Sequence, residues 1–98
     1  MRIVIKYPNE KPRSIFINNQ LRAFQDLVGG FIEVYPLKPD LLMIINEDGK
    51  QIGEPLNFFI PNDYIAGTAI FVGKDGEDFT DCPYTVGEIE EIIEGLDV

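Results

Sequence analysis

The chain has 98 residues, with eight Lys or Arg, seventeen Asp or Glu and no His, a formal charge of −9 at neutral pH. Without His and with one Cys, Cys82, neither a Cys/His zinc site nor a Ser-His-Asp or Cys-His nucleophile set can be assembled within the chain, and no intramolecular disulfide can form. Apolar residues at 45 % against 26 % charged place this acidity on a chain able to build a core, so residues 1–98 read as one folded domain and not as an acidic disordered tail.

Arg2-Ile3-Val4-Ile5-Lys6-Tyr7 alternates and is β-branched, which predicts a strand. Pro8-Asn9-Glu10-Lys11-Pro12 marks a turn, and Arg13 to Ile17 returns as the second arm of a hairpin. Asn18 or Asn19 is then placed to cap a helix whose apolar positions are Leu21, Phe24, Leu27 and Val28, with Gly29-Gly30 ending it. Phe31 to Tyr35 predicts a strand apolar on both alternating sets, with Glu33 between Phe31 and Tyr35 on one of them. Leu41 to Ile45 is a continuous apolar run suited to the sheet centre. Asp48-Gly49 predicts a tight hairpin and a short returning strand at Lys50-Gln51-Ile52. The two prolines and weak periodicity of residues 53–62 predict an irregular segment, Ile65 to Val72 one further strand, and Lys74 to Pro83 an acidic loop. Thr85-Val86-Gly87-Glu88 has the form of a capping box, opening a helix with an apolar stripe of Val86, Ile89, Ile92, Ile93 and Leu96. Glu94 and the carboxylate of Val98 fall at the helix end where negative charge is unfavourable. The expected fold is therefore α+β: a mixed or antiparallel sheet of about five strands, in the order β-β-α-β-β-(β)-β-α, with both helices packed mainly on one face. The other face, with Phe16, Phe31 and Tyr35, would then meet solvent, a partner, a second copy of the chain, or the 55–64 segment folded across it.

The charge is unevenly spread. Residues 1–22 carry five bases against one acid, and the remainder three bases against sixteen acids. Nucleic acid requires a cationic track, which only the first hairpin could offer, so nucleic acid is not the expected partner. The absence of a long apolar run and of a cleavable leader pattern predicts a soluble, cytoplasmic protein with no membrane contact.

No catalytic set, cofactor or metal site is expected. Asp75 to Asp81 opens like a calcium loop, but Phe79 stands at a ligand position and Thr80 at the required glycine. Cys82 is expected to be inert, lying among acids. The candidate binding residues are the amides Gln25, Asn46 and Asn57, each able to donate and accept, together with Glu33 and Tyr35 on their strand. Glu88, Glu90, Glu91 and Glu94 form a candidate acidic interaction face.

Leu21-x-x-x-Gln25-x-Leu27-Val28-Gly29-Gly30-x-Ile32-Glu33, then Asn46-Glu47-x-Gly49-Lys50, Asn57 and Ile65-x-Gly67-Thr68 together resemble the DUF3846 family. This is a domain of unknown function found in small proteins of Gram-positive bacteria, their phages and mobile elements. The resemblance implies a small cytoplasmic α+β domain without an assigned activity or cofactor, with polar signature positions at Gln25, Glu33, Asn46, Glu47 and Asn57. The acidic residues from Asp75 onward lie outside the matching blocks. Two functions are expected to compete. One is a non-enzymatic interaction module of phage or mobile-element type, acting on a host protein through its acidic surface. The other is a binder of a small polar, nucleotide-like ligand lined by Gln25, Glu33, Asn46 and Asn57.

Overall fold

The computed structural model describes residues 1–97; the Val98 carboxylate discussed above lies outside them. The first hairpin forms as its alternation predicts: β1 (Arg2–Lys6) pairs antiparallel with β2 (Arg13–Phe16), register Ile3 to Ile15. Helix α1 (Leu21–Val28) follows, then β3 (Ile32–Lys38) and β4 (Leu41–Asn46), β5 (Leu56–Ile60) and β6 (Asp63–Ala66), β7 (Ala69–Asp75), β8 (Asp78–Thr80) and α2 (Val86–Leu96). The main sheet runs β2-β1-β7-β4-β3, every pair antiparallel, while β5 and β6 form a separate two-stranded ribbon. The α+β class and the single compact body, with a radius of gyration of 12.3 Å, agree with the composition.

The helices, however, occupy opposite faces of the sheet, not one. The alternation of β1, β4 and β7 has two apolar sets. Ile3, Ile5, Leu42, Ile44, Ile70 and Val72 face α1 through Phe24 and Val28. Val4, Leu41, Met43, Ala69 and Phe71 face α2 through Ile89 and Ile93. Strands apolar on both sides must be covered on both sides, and one eight-residue helix and one eleven-residue helix cannot both be spent on the same face. The rest of the α2 face is covered by the β5–β6 ribbon, which buries Phe58, Ile60 and Ile65 there, Phe58 stacking on Phe71 at 6.3 Å. Opposite, Phe79 of β8 meets Phe24 of α1 edge-on at 5.2 Å.

Local chemistry explains the remaining differences. The expected strand at Lys50 to Ile52 is a run of turns, held by Ile52 N–H to the Asp48 carbonyl (3.0 Å) and Glu54 N–H to the Gly49 carbonyl (2.9 Å). The segment expected to be irregular contains β5, because Pro61-Asn62 is itself a two-residue hairpin turn. Ile60 pairs with Asp63 across it and Asn62 takes φ 62°, the proline-then-positive-φ pattern of a type II turn. The expected single strand from Ile65 to Val72 is two, broken at Gly67, whose φ of 85° suits only glycine well. The acidic loop contains β8, which pairs with Gly73 to Asp75 beyond the end of the β1–β7 pairing.

The helix ends divide. Neither Asn18 nor Asn19 caps α1; its N-cap is Gln20 without a side-chain bond, and Asn19 donates instead to the Phe79 carbonyl (3.0 Å). Gly29 ends the helix in the left-handed conformation, and both Gly29 and Gly30 donate to the Gln25 carbonyl. The capping box of α2 forms in full between Thr85 and Glu88. Among the described residues no helix is long and apolar enough to cross a membrane.

Candidate functional site

The β5–β6 ribbon and the turns after β4 leave a cleft of about 210 Å³ against the outer strand of the sheet. Glu33 and Tyr35 enter it from β3, where they stand opposite Ile45 and Met43, on the α2 side of the sheet. Asp63 and Tyr64 enter from β6, and Glu47, Asp48 and Lys50 from the turns. Both tyrosines are partly exposed, Tyr35 at 36 % and Tyr64 at 38 %. Glu33 is exposed, because β3 is an edge strand with no neighbour on its outer side among the described residues.

Lys50 is the cleft's one cation, and it is engaged twice. Its ammonium forms an ion pair with Asp63 and lies 4.6 Å from the Tyr64 ring centroid. The hydrogen bond to Asp63 raises the Lys50 pKa, and the same bond, aided by the Tyr64 amide, lowers that of Asp63. Glu33, Glu47 and Asp48 have no such partner among the described ion pairs, so the cleft carries an excess of negative charge.

Of the five candidate binding residues, Glu33, Tyr35 and Asn46 converge here and two do not. Asn46 is 5 % exposed and its amide is engaged at both ends: Nδ2 donates to the Val28 carbonyl at the end of α1 (3.1 Å), and Oδ1 accepts from the Asp48 amide (2.7 Å). It ties helix, strand and turn together beneath the cleft. Asn57 acts the same way elsewhere, donating to the carbonyls of Lys6 (2.8 Å) and Gly67 (2.7 Å) and accepting from Lys6 Nζ (2.7 Å). That pocket of protein lowers the Lys6 pKa by desolvation. Gln25 lines a separate shallow hollow beside Gly30 and Phe31.

Phe16 and Phe31 stay exposed, at 78 % and 69 %, and the ribbon covers neither. The acidic helix face also divides. Glu88 and Glu91 border a second, open hollow of about 480 Å³ between α2 and the end of β3, with Leu37, Ile92 and Leu96 forming its apolar part. Glu90 and Glu94 lie outside it. No base of the first hairpin pairs with these acids in the described ion pairs. Arg2 instead donates to the carbonyls of Cys82 (2.8 Å) and Tyr84 (3.0 Å), so Cys82 does have a cation beside it; burial nonetheless dominates and raises its thiol pKa. Among the described residues no group of three or more metal-ligating side chains assembles.

Lys50, Asp63 and Tyr64 were not among the sequence candidates. The Pro61-Asn62 turn between two apolar runs could have shown that Asp63 and Tyr64 open a strand, and Lys50 closes the Asn46-Glu47-x-Gly49-Lys50 block without being singled out there as a polar signature position.

Fold and site together define a small α+β domain with an acidic cleft at a sheet edge. The chain matches the model of the family described as Domain of unknown function (DUF3846) over residues 1–95 and belongs to that family. The match runs into the last turn of α2, well past the blocks that end at Thr68, so the acidic segment from Asp75 to residue 95 is part of the family domain. No curated protein and no solved structure matches the chain.

Proposed function

We propose that this protein is a non-enzymatic, cytoplasmic interaction module that binds a basic segment of a partner protein, with the edge cleft receiving one Lys or Arg side chain. The observation that carries this is the cleft's composition: Glu33, Glu47 and Asp48 beside two partly exposed tyrosines, with the only lysine already paired to Asp63. A guanidinium or ammonium finds there both carboxylates and ring faces. At about 210 Å³ the space suits one side chain better than the 300–1,000 Å³ usual for small-molecule sites. A nucleotide-like ligand, the competing expectation, would bring phosphate against unpaired carboxylates. The phage and mobile-element setting implied by the resemblance makes a host protein the target we assign.

The test is an amide-shift titration of the isotope-labelled protein with N-acetylarginine amide and, separately, adenosine monophosphate. Shifts at Glu33, Tyr35 and Tyr64 with the first, weakened by salt, are expected. Shifts there with adenosine monophosphate alone would reverse the assignment in favour of the small-ligand reading.

A further inference from the structure

The ladder between β3 and β4 fixes which backbone groups of β3 are already used. The Phe31 carbonyl accepts from the Glu47 amide at 2.9 Å, and the register then runs unbroken from Ile32 opposite Asn46 to Pro36 opposite Leu42. Hydrogen-bonded and non-bonded pairs alternate in an antiparallel ladder. Phe31, Glu33 and Tyr35 therefore turn their N–H and C=O toward β4, and Ile32 and Val34 turn theirs outward, where the sheet has no further strand among the described residues. Pro36 continues the outward row with a carbonyl only, and the register shift between Pro36 and Lys38 closes it. The result is a short open edge, bounded by proline on one side.

The side chains of the same strand connect the two hollows. Glu33 and Tyr35 line the acidic cleft, and Leu37, two residues on and on the same face, packs with the α2 core and lines the second hollow. Glu33 and Leu37 are four residues apart, about 13 Å at roughly 3.3 Å per residue. A strand laid along Ile32 to Pro36 would carry side chains past the cleft and the hollow in turn.

We propose that β3 accepts an extended segment of the partner as an added strand, with a Lys or Arg in the cleft and an apolar residue four positions away against Leu37, Ile92 and Leu96. The proposal rests on the cleft reading above and adds to it the mode of recognition: main-chain bonds supply affinity, and side chains on one face supply choice. Charge argues for a basic partner over a second copy. Glu33, Glu47 and Asp48 rim one hollow, and Glu88 and Glu91 outnumber Lys38 at the other, so two β3 edges meeting would bring net negative charge together.

The probes are capped seven-residue peptides of Thr and Val with Leu at the second position and Arg at the sixth, the order by which a strand antiparallel to β3 sets Arg opposite Glu33 and Leu opposite Leu37. The controls are a permuted peptide with Leu at the third position, and a copy of the first N-methylated at the residues facing β3. The readout is amide hydrogen exchange with peptide affinity. The first peptide is expected to bind on the order of tenfold tighter than the permuted one, to slow exchange at Ile32 and Val34 while Glu33 and Tyr35 are slow beforehand, and to lose binding when N-methylated. Val34→Pro removes an outward N–H without touching the β4 ladder. It should keep the response to N-acetylarginine amide and lose the peptide; if it fails to fold, the N-methylated peptide makes the same test. Cleft shifts without protection of Ile32 and Val34 overturn the added strand and leave the cleft reading standing. Protection that grows with protein concentration and no peptide overturns it in favour of a second copy. No response to any peptide, with the arginine amide still binding, overturns it as well.

Discussion

β4 and β3 are hydrogen-bonded neighbours of similar length and similar apolar content, yet β4 is buried along almost its whole length while β3 is exposed at five of its seven residues. β4 has β7 on its other side, α1 above one face and the ribbon with α2 above the other. Beyond β3 no further strand lies among the described residues, and the two covers of the α2 face, ribbon and helix, leave hollows along it. What separates the two strands is position in the sheet, and position converts the same alternation into core on one strand and into an exposed, hollow-lined edge on the next.

Substitutions should separate the strands in proportion. Met43→Ala, at a fully buried position of β4, is expected to cost about 2–5 kcal/mol, enough to unfold a marginal domain, and a loss under about 1 kcal/mol in denaturant unfolding would mean that the core collapses around the gap. Asn46→Ala, at the end of the same strand, leaves the Val28 carbonyl and Asp48 amide without their partner and should cost about 1–3 kcal/mol. Because Asn46 sets the turn under the cleft, amide shifts should also move at Glu47 to Lys50; an unmoved turn would show that it stands without the asparagine.

Glu33→Gln on β3 tests the other side of the contrast. An exposed strand residue away from core and caps should change stability by no more than about 0.5 kcal/mol, while the response to N-acetylarginine amide falls. A variant that binds the amide as well as the native chain would place the cation elsewhere.

How much of this could be read beforehand follows the same division. The elements set by local chemistry were legible: the first hairpin from its alternation, the α1 stop from Gly29-Gly30, the α2 start from Thr85 and Glu88. The features set by distant neighbours were not. That β3 is an edge depends on β7 crossing between β1 and β4, which no residue of β3 records except Pro36, whose missing N–H suits an outer position. Likewise Asn46 and Asn57 carry the chemistry of ligand contacts, and only the fold reveals that carbonyls of Val28, Lys6 and Gly67 consume it. Glu33 and Tyr35 could be picked by type but not paired with Asp63 and Tyr64, thirty residues away behind a turn read as irregular.

The smallest expected effect concerns the Lys50–Asp63 pair, the tie between the post-β4 turns and the ribbon. Asp63 has a lowered pKa through its bond to Lys50, so its contribution is present above the ordinary aspartate range and is lost only as pH falls through the lower folded value. Lys50 is raised through the same bond, so its contribution is complete below the ordinary lysine range and is lost as pH rises through the higher folded value. The pair is therefore intact across the whole neutral range, and both side chains are exposed enough that solvent screens it. In a carboxyl-carbon titration Asp63 should ionise at lower pH than in Lys50→Ala, where it should move back toward the ordinary aspartate range with only the Tyr64 amide still lowering it, with little change in melting temperature at neutral pH. An Asp63 that titrates identically with and without Lys50 would show that the lysine is free in solution. Asp63 would then be one more unpaired carboxylate in the cleft, and an incoming Arg could engage it without displacing Lys50.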